Sequence, residues 1–400
     1  MIHRETAIDR AIGTAEAMRR AVQELLLTSR EVPPAVVVDG VRTAAAALGA
    51  NGADIYLNDY EQRDLRSLED DEPLNIDGTV AGRTFTSGTR METSSDGVTS
   101  VWLPLVNGAS RLGVMRLTFT DLDDDIRDAC DQFAALVAEL VVCRDQYTDT
   151  FVRARRGEEM SLAAEMCWNL LRPLTFNISA LAASAMLQPA YDVGGDVFDY
   201  ACNAPLFHAV LFDAMGHGVG AALTSTVAVG AYRYARRRGE DLAMTYRAVD
   251  SAIDEHRAGT FATGVLAELD WTTGSFSWLN AGHPAPMLIR DRAVQRLGSE
   301  PALPMGFAAA FGDNVLDVAT MRLQDGDRVL LFSDGCTEAR TPSGEAFGEE
   351  RLGDFLVREQ SAGLELAETL RRLSHAVLAH AGGDLADDAT VVLLEYRAQS

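Results

Sequence analysis

Four acidic loop segments carry the residues best suited to chemistry: Val193-Gly194-Gly195-Asp196, Asp213-Ala214-Met215-Gly216-His217-Gly218, Ser333-Asp334-Gly335 and Asp387-Asp388-Ala389-Thr390. Asp213 and Asp334 each follow an apolar run (HAVLF and RVLLFS), and Asp387-Asp388 lies just before one (TVVLLEY). Strand ends of this kind let a rigid scaffold aim side chains at a shared point. Carboxylates delivered this way bind hard cations, and oxygen-only ligation without clustered His or Cys favours magnesium or manganese over zinc. Two ions bridged by one carboxylate can bind phosphate and activate a water between them, which is the two-metal route to phosphate-ester hydrolysis. A single Asp-Gly after a strand is an ordinary turn, because both residues favour turns. The weight lies on the four segments together.

The elements that must position these loops fall in the second half of the chain. After Pro173 the sequence consists of short apolar strands separated by Gly/Asp loops, with helical stretches at about Val219–Arg238 and Leu242–His256 and a helical pair between about Glu349 and His380. The pattern predicts strands at His208–Phe212, Gly264–Asp270, Ser275–Asn280, Met287–Arg290, Val315–Leu323, Arg328–Phe332 and Thr390–Tyr396. Many strands with few helices imply packed, mostly antiparallel sheets flanked by helices. Ahead of this lie a helix from about Glu5 to Thr28, stopped by Pro33-Pro34, and then a mixed stretch. That stretch has a strand at Ala53–Leu57 and a hairpin of Val101–Val106 and Leu112–Phe119 around Asn107-Gly108. An acidic cluster at Asp121 and Asp123–Asp125 opens a long helical segment running towards Leu171, as suits the positive end of a helix dipole. The divisions are therefore an N-terminal helix over 1–33, a small α+β domain over 34–120, a helical linker over 121–172 and the strand-rich domain over 173–400.

His217 and His283 invite general-acid roles, but a loop histidine beside glycine is often a hydrogen-bonding spacer, and both stay outside the catalytic set. The run Arg236-Arg237-Arg238 before Gly239 reads as a helix C-terminus. Gly194-Gly195-Asp196 suggests a diguanylate cyclase, but Val197 stands where such cyclases carry an acidic group. P-loop, kinase glycine-loop and nucleophilic Ser or Cys motifs are absent, which disfavours phosphorylated-enzyme chemistry.

In this order and with these glycines, the four segments resemble the metal-dependent protein phosphatases (the PPM or protein phosphatase 2C fold), specifically the bacterial SpoIIE-type branch. The resemblance covers about Glu158 to Tyr396 and takes in Leu187-Gln188-Pro189, Asn280-Ala281-Gly282-His283-Pro284 and Gly326-Asp327. It implies a PPM-type β-sandwich flanked by helices, with two Mn2+ or Mg2+ ions at one end. It also implies that Asp213 is the bridging carboxylate, assisted by the Ala214 carbonyl, with Asp196, Asp334 and Asp387 completing the centre. The reaction implied is hydrolysis of phosphoserine or phosphothreonine on a protein by metal-activated water. Relatives of this branch commonly act on small anti-sigma-factor antagonists. The rival reading is a non-catalytic regulator that keeps the fold to bind a partner.

Residues from about Pro34 to Phe119 resemble a GAF domain, through Leu74-Asn75-Ile76-Asp77-Gly78, Ala81-Gly82-Arg83 and the strands VWLPLV and RLGVMRLTF. This implies a sensor or dimerisation module, giving an α+β protein of two domains joined by a helical linker, with homodimerisation expected through that linker. Between Glu5 and Ala129 there is neither His nor Cys, so haem, iron–sulfur and cysteine-tethered pigments lack a ligand. A formal net charge of −24 argues against nucleic acid or anionic membrane as a partner, since both require positive surface. The five cysteines have no CxxC pair, and the sequence has neither a signal-peptide core nor a membrane-length apolar run, so a reducing, cytoplasmic setting is expected.

Overall fold

The computed structural model describes the chain except residues 1, 32, 34, 35, 70, 71, 258, 308–315, 399 and 400, and within the first helix it describes side chains only from residue 12 to 27. Pro34, Val315 and the side chain of Ile8 lie outside the described residues. The chain divides into two compact units, 1–158 and 159–400.

In the first unit, α1 (Ile2–Glu31) and α2 (Val37–Ala46) precede β1 (Gly52–Asn58), β2 (Asp64–Ser67), β3 (Leu74–Asn75), α3 (Val80–Ser87), β4 (Met91–Ser95), β5 (Val98–Asn107) and β6 (Ser110–Phe119). The strands form one antiparallel sheet in the order β3-β2-β1-β6-β5-β4. Its largest core joins Val41, Ile55, Leu103, Leu117 and Phe119 to Phe133 and Val137 of α4 (Asp124–Asp145). The hairpin turns at Gly108-Ala109, where Gly108 takes a φ of +58° that glycine tolerates without strain.

The expected continuous helix over 121–172 is corrected by the structure to three pieces: α4, α5 (Thr150–Ala154) and α6 (Leu162–Leu170). Polar side chains that serve the backbone locally compete with a continuing helix. Thr148 Oγ1 accepts from the Thr150 N–H at 3.2 Å, and Ser161 Oγ accepts from the Ala164 N–H at 3.1 Å, starting α6 afresh. The division between the units falls in the second break.

The second unit is a β-sandwich. One sheet has the order β15-β12-β11-β10-β9, built from β9 (Val197–Asn203), β10 (Leu206–Ala214), β11 (Ala262–Asp270), β12 (Ser275–Ala281) and β15 (Ala319–Arg322). The other has the order β14-β13-β16-β17-β8-β7, from β7 (Thr175–Ile178), β8 (Leu181–Gln188), β13 (Met287–Arg290), β14 (Ala293–Arg296), β16 (Arg328–Phe332) and β17 (Ala389–Tyr396). Phe198, Leu211, Val265 and Trp278 of the first sheet meet Leu181, Leu331, Val392 and Leu394 of the second in a shared core. The outer faces are also buried. α7 (Val219–Arg237) and α8 (Leu242–His256) pack Val229, Tyr232, Val249 and Ile253 onto Val210, Phe212 and Leu266. α10 (Glu349–Ser361) and α11 (Leu366–Ala381) cover the other sheet through Leu352, Leu370 and Leu373, and α9 (Asp334–Glu338) is a single short turn. Burial on both faces is why strands such as HAVLF read as continuous apolar runs.

Candidate metal centre

All four acidic segments come to the same end of the sandwich. Phe212 pairs with Val197 in the β9–β10 ladder, so Asp213, the next residue, runs alongside Asp196. Phe332 pairs with Val391, and the following residues are laced together: the Ser333 N–H donates to the Thr390 carbonyl at 2.9 Å, and Ser333 Oγ donates to the Asp388 carbonyl at 3.0 Å. Two glycines permit this closeness. A Cβ on Gly335 would lie 2.1 Å from the Asp388 carbonyl oxygen, and one on Gly195 would lie 2.9 Å from that of Ala214. No other residue fits either place without displacing backbone.

Asp387 and Asp388 do different work. Asp388 is buried, and its carboxylate accepts the backbone N–H groups of Gly194 (2.7 Å), Gly195 (2.7 Å) and Asp196 (3.0 Å), clamping the loop that carries Asp196. Asp387 is exposed. Asp196 is buried and its Oδ2 has no hydrogen-bond partner, although the hydroxyls of Thr390 and Ser333 lie near enough to favour its charged form.

The electrostatics are those of carboxylates crowded without compensation. Burial, and then the charges of Asp213 and Asp388, raise the Asp196 pKa well above the ordinary value. Burial, followed by Asp334, Asp387 and Asp388, pushes Asp213 up to about 7, against a favourable contact from the Thr263 hydroxyl. Burial and Asp387 raise Asp334. Like charges sharing a site disfavour one another's ionisation, and a divalent cation among them reverses that penalty. Among the described residues no three His, Cys, Asp or Glu side chains converge tightly enough to enclose an ion as they stand. The donor set nevertheless fits a hard cation, being oxygen only, with one buried carboxylate oxygen unpartnered.

His217 is exposed in the loop after Asp213, and His283 is buried with Nδ1 2.8 Å from Thr263 Oγ1. Thr263, Ser333 and Ser225, whose hydroxyl donates to the Gly195 carbonyl, are supporting residues that sequence reasoning missed. Ser333 belongs to the Ser333-Asp334-Gly335 segment, whereas Thr263 and Ser225 carry no motif signal. Asp199 lies away from this cluster's hydrogen bonds. It is fully buried and meets Arg233 and Arg236 at 2.7 Å and Arg172 at 3.3 Å. Arg236 is thus an internal counter-ion rather than an exposed helix-end cation. Asp327 of the Gly326-Asp327 turn likewise holds Arg290 Nε at 2.9 Å and the Gln324 N–H at 2.7 Å.

Residues 206–397 match the family model described as Stage II sporulation protein E (SpoIIE). The sandwich with its acidic end is thus a protein serine/threonine phosphatase domain of the PP2C class. Within that class it is of the SpoIIE type. The chain is 22% identical to the phosphoserine phosphatase RsbU of Bacillus subtilis over 288 residues, covering 71% of this chain and 84% of RsbU. It is 27% identical to Protein IcfG of Synechocystis over 139 residues, which is 34% of this chain but only 21% of IcfG. The solved RsbU and RsbW domains of Rv1364c from Mycobacterium tuberculosis are similar at 25% identity and a TM-score of 0.47, covering 57% of this chain and 63% of that one. Related phosphatases of this class bind magnesium or manganese. Among the described residues, no helix is long and apolar enough to cross a membrane.

Proposed function

We propose that the protein hydrolyses phosphoserine or phosphothreonine on a protein substrate, with Asp196, Asp213, Asp334, Asp387 and the Ala214 carbonyl holding two Mn2+ or Mg2+ ions. The observation that carries this reading is the set of mutually destabilised carboxylates at one end of the sandwich, with Asp196 Oδ2 buried and unpartnered. Such ions would polarise the phosphoryl oxygens and acidify an attacking water. The chain's own contribution is to hold the carboxylates in register: Asp388 clamps the Asp196 loop, and Ser333 ties the Asp334 turn to β17.

The likeness to RsbU supports a substrate in sigma-factor signalling, and we read that substrate as a phosphorylated anti-sigma-factor antagonist. The N-terminal unit is read as a GAF-like sensory module and the chain as a homodimer in the cytoplasm. Release of phosphate from a phosphoserine peptide should require Mn2+ or Mg2+ and fall at least 100-fold in Asp213→Asn, a loss of about 2.7 kcal/mol or more in transition-state stabilisation. Equal activity after exhaustive chelation would overturn the reading in favour of a partner-binding regulator.

A further inference from the structure

The segment 189–196 joins β8 to β9 as a loop and ends on Asp196. No sheet ladder runs through it, so the place of the Asp196 carboxylate is set by whatever holds the segment from outside. Its second half is held by Asp388, whose carboxylate accepts the N–H groups of Gly194, Gly195 and Asp196, and by Ser225 of α7, whose hydroxyl donates to the Gly195 carbonyl.

The first half is held by α6. Near the end of that helix the Trp168 indole Nε1–H donates to the Ala190 carbonyl at 2.7 Å. At its start the Ser161 N–H donates to the Tyr191 carbonyl at 2.9 Å. The helix thus grips two consecutive carbonyls with its two ends. Between these bonds Ala163, Ala164 and Cys167 are buried in one apolar cluster with Val193 of the segment and Ala222 of α7. The C-terminal end of α6 is tied to α7 in turn, where Arg233 donates to the Leu170 carbonyl at 2.6 Å. Of the two bonds that α6 makes to the segment, the one from Trp168 comes from a side chain and so depends on residue type. An indole has one donor and no acceptor. Ala190 is fully buried, so loss of that donor leaves a buried carbonyl unpaired and removes a reason for the helix and the segment to stay together.

We infer that Trp168 is a positioning residue: its indole N–H, seated on the Ala190 carbonyl, holds α6 against the 189–196 segment and so keeps Asp196 where a cation among the carboxylates can use it. This rests on the reading of Asp196 as part of the metal centre. It makes α6, which contributes no carboxylate to the centre, one of the elements on which the centre depends.

The test uses metal-stripped full-length protein. Titration calorimetry with MnCl2 should show affinity about tenfold weaker in Trp168→Phe, which keeps an aromatic ring but no donor, in keeping with other residues that orient metal ligands. In Trp168→His the imidazole superposes on the five-membered ring of the indole, with Nε2 in the place of Nε1. That variant should therefore bind within about threefold of the parent. Full affinity in Trp168→Phe would overturn the inference, and so would equal losses in the two variants, which would assign the effect to packing rather than to the donor. Should neither variant fold, the parent protein decides. Coupling between two sites is reciprocal, so a cation that needs the segment in place must also hold the indole on it. Hydrogen exchange followed by NMR, with diamagnetic MgCl2 as the added ion, should slow at the Trp168 indole N–H together with the Gly194, Gly195 and Asp196 amides. An indole rate that stays the same while those amides slow would overturn the role. Asp196→Asn separates the two levels: unchanged Mn2+ affinity there sinks the metal centre itself, whereas loss there with full affinity in Trp168→Phe sinks only the positioning role.

Discussion

Two adjacent aspartates show how far environment, rather than residue type, decides a role. Asp388 spends its carboxylate on three backbone N–H groups of the 194–196 loop, while Asp387 is exposed. Asp388→Ala should therefore leave buried donors unpaired and lower the unfolding free energy of the metal-free protein by about 1–3 kcal/mol. Asp387→Asn should leave it within about 0.5 kcal/mol while removing Mn2+-dependent turnover. Urea denaturation of the two variants, beside their activities, checks both statements; equal stability losses would mean the roles are not divided in this way. The sequence could favour Asp387 over Asp388 only through resemblance, because a clamp on backbone amides nearly two hundred positions away leaves no local pattern. Thr263 was invisible for the same reason, and Arg236 could be assigned only to a helix end because Asp199, its buried partner, lies in a different element.

At the scale of elements, the strands with strong apolar runs were readable, and Met287–Arg290 and Arg328–Phe332 coincide with β13 and β16. β8 was not. Its sequence, LAASAMLQ, is rich in alanine, which favours helix, yet it is a fully buried strand between β17 and β7. Tertiary burial overrides local preference there. α11 packs against this sheet, and its Glu368 is a nearly buried carboxylate held by Arg371 Nε at 2.9 Å and Arg372 Nε at 2.9 Å. Desolvation raises the Glu368 pKa, but the combined bonds from the two arginines prevail and the net shift is downward. A carboxylate depressed in the folded state stabilises fully above its unfolded value of about 4.3, and that stabilisation is lost as pH falls through the lower folded value. Glu368→Gln should accordingly cost about 1.5–3 kcal/mol at pH 7, with the gap from the parent closing below about pH 4. A gap that stayed constant across that range would assign the loss to packing rather than charge.

The whole molecule comprises two units, and each has its own hydrophobic core: one around Phe119 and Phe133, the other in the layers of the sandwich. The four carboxylates all belong to the second unit, so the binding energy of a cation enters the stability of that unit directly. A ligand that binds only the folded form adds RT ln(1 + [L]/Kd), about 2.7 kcal/mol at one hundred times Kd. For a domain in the range of 150–250 residues, each kcal/mol raises the midpoint by roughly 2–4 °C. MnCl2 at that saturation should therefore raise one calorimetric transition by about 5–10 °C, and Asp213→Asn should abolish the rise. The distribution of the shift is informative in itself. A single transition moving as a whole would mean that the units unfold as one cooperative body, which would allow an event in the N-terminal unit to reach the carboxylates energetically. Two transitions of which only one moves would mean that a signal must travel through the broken helical segment around 146–161 instead, and no movement at all would remove the metal centre on which the catalytic reading stands.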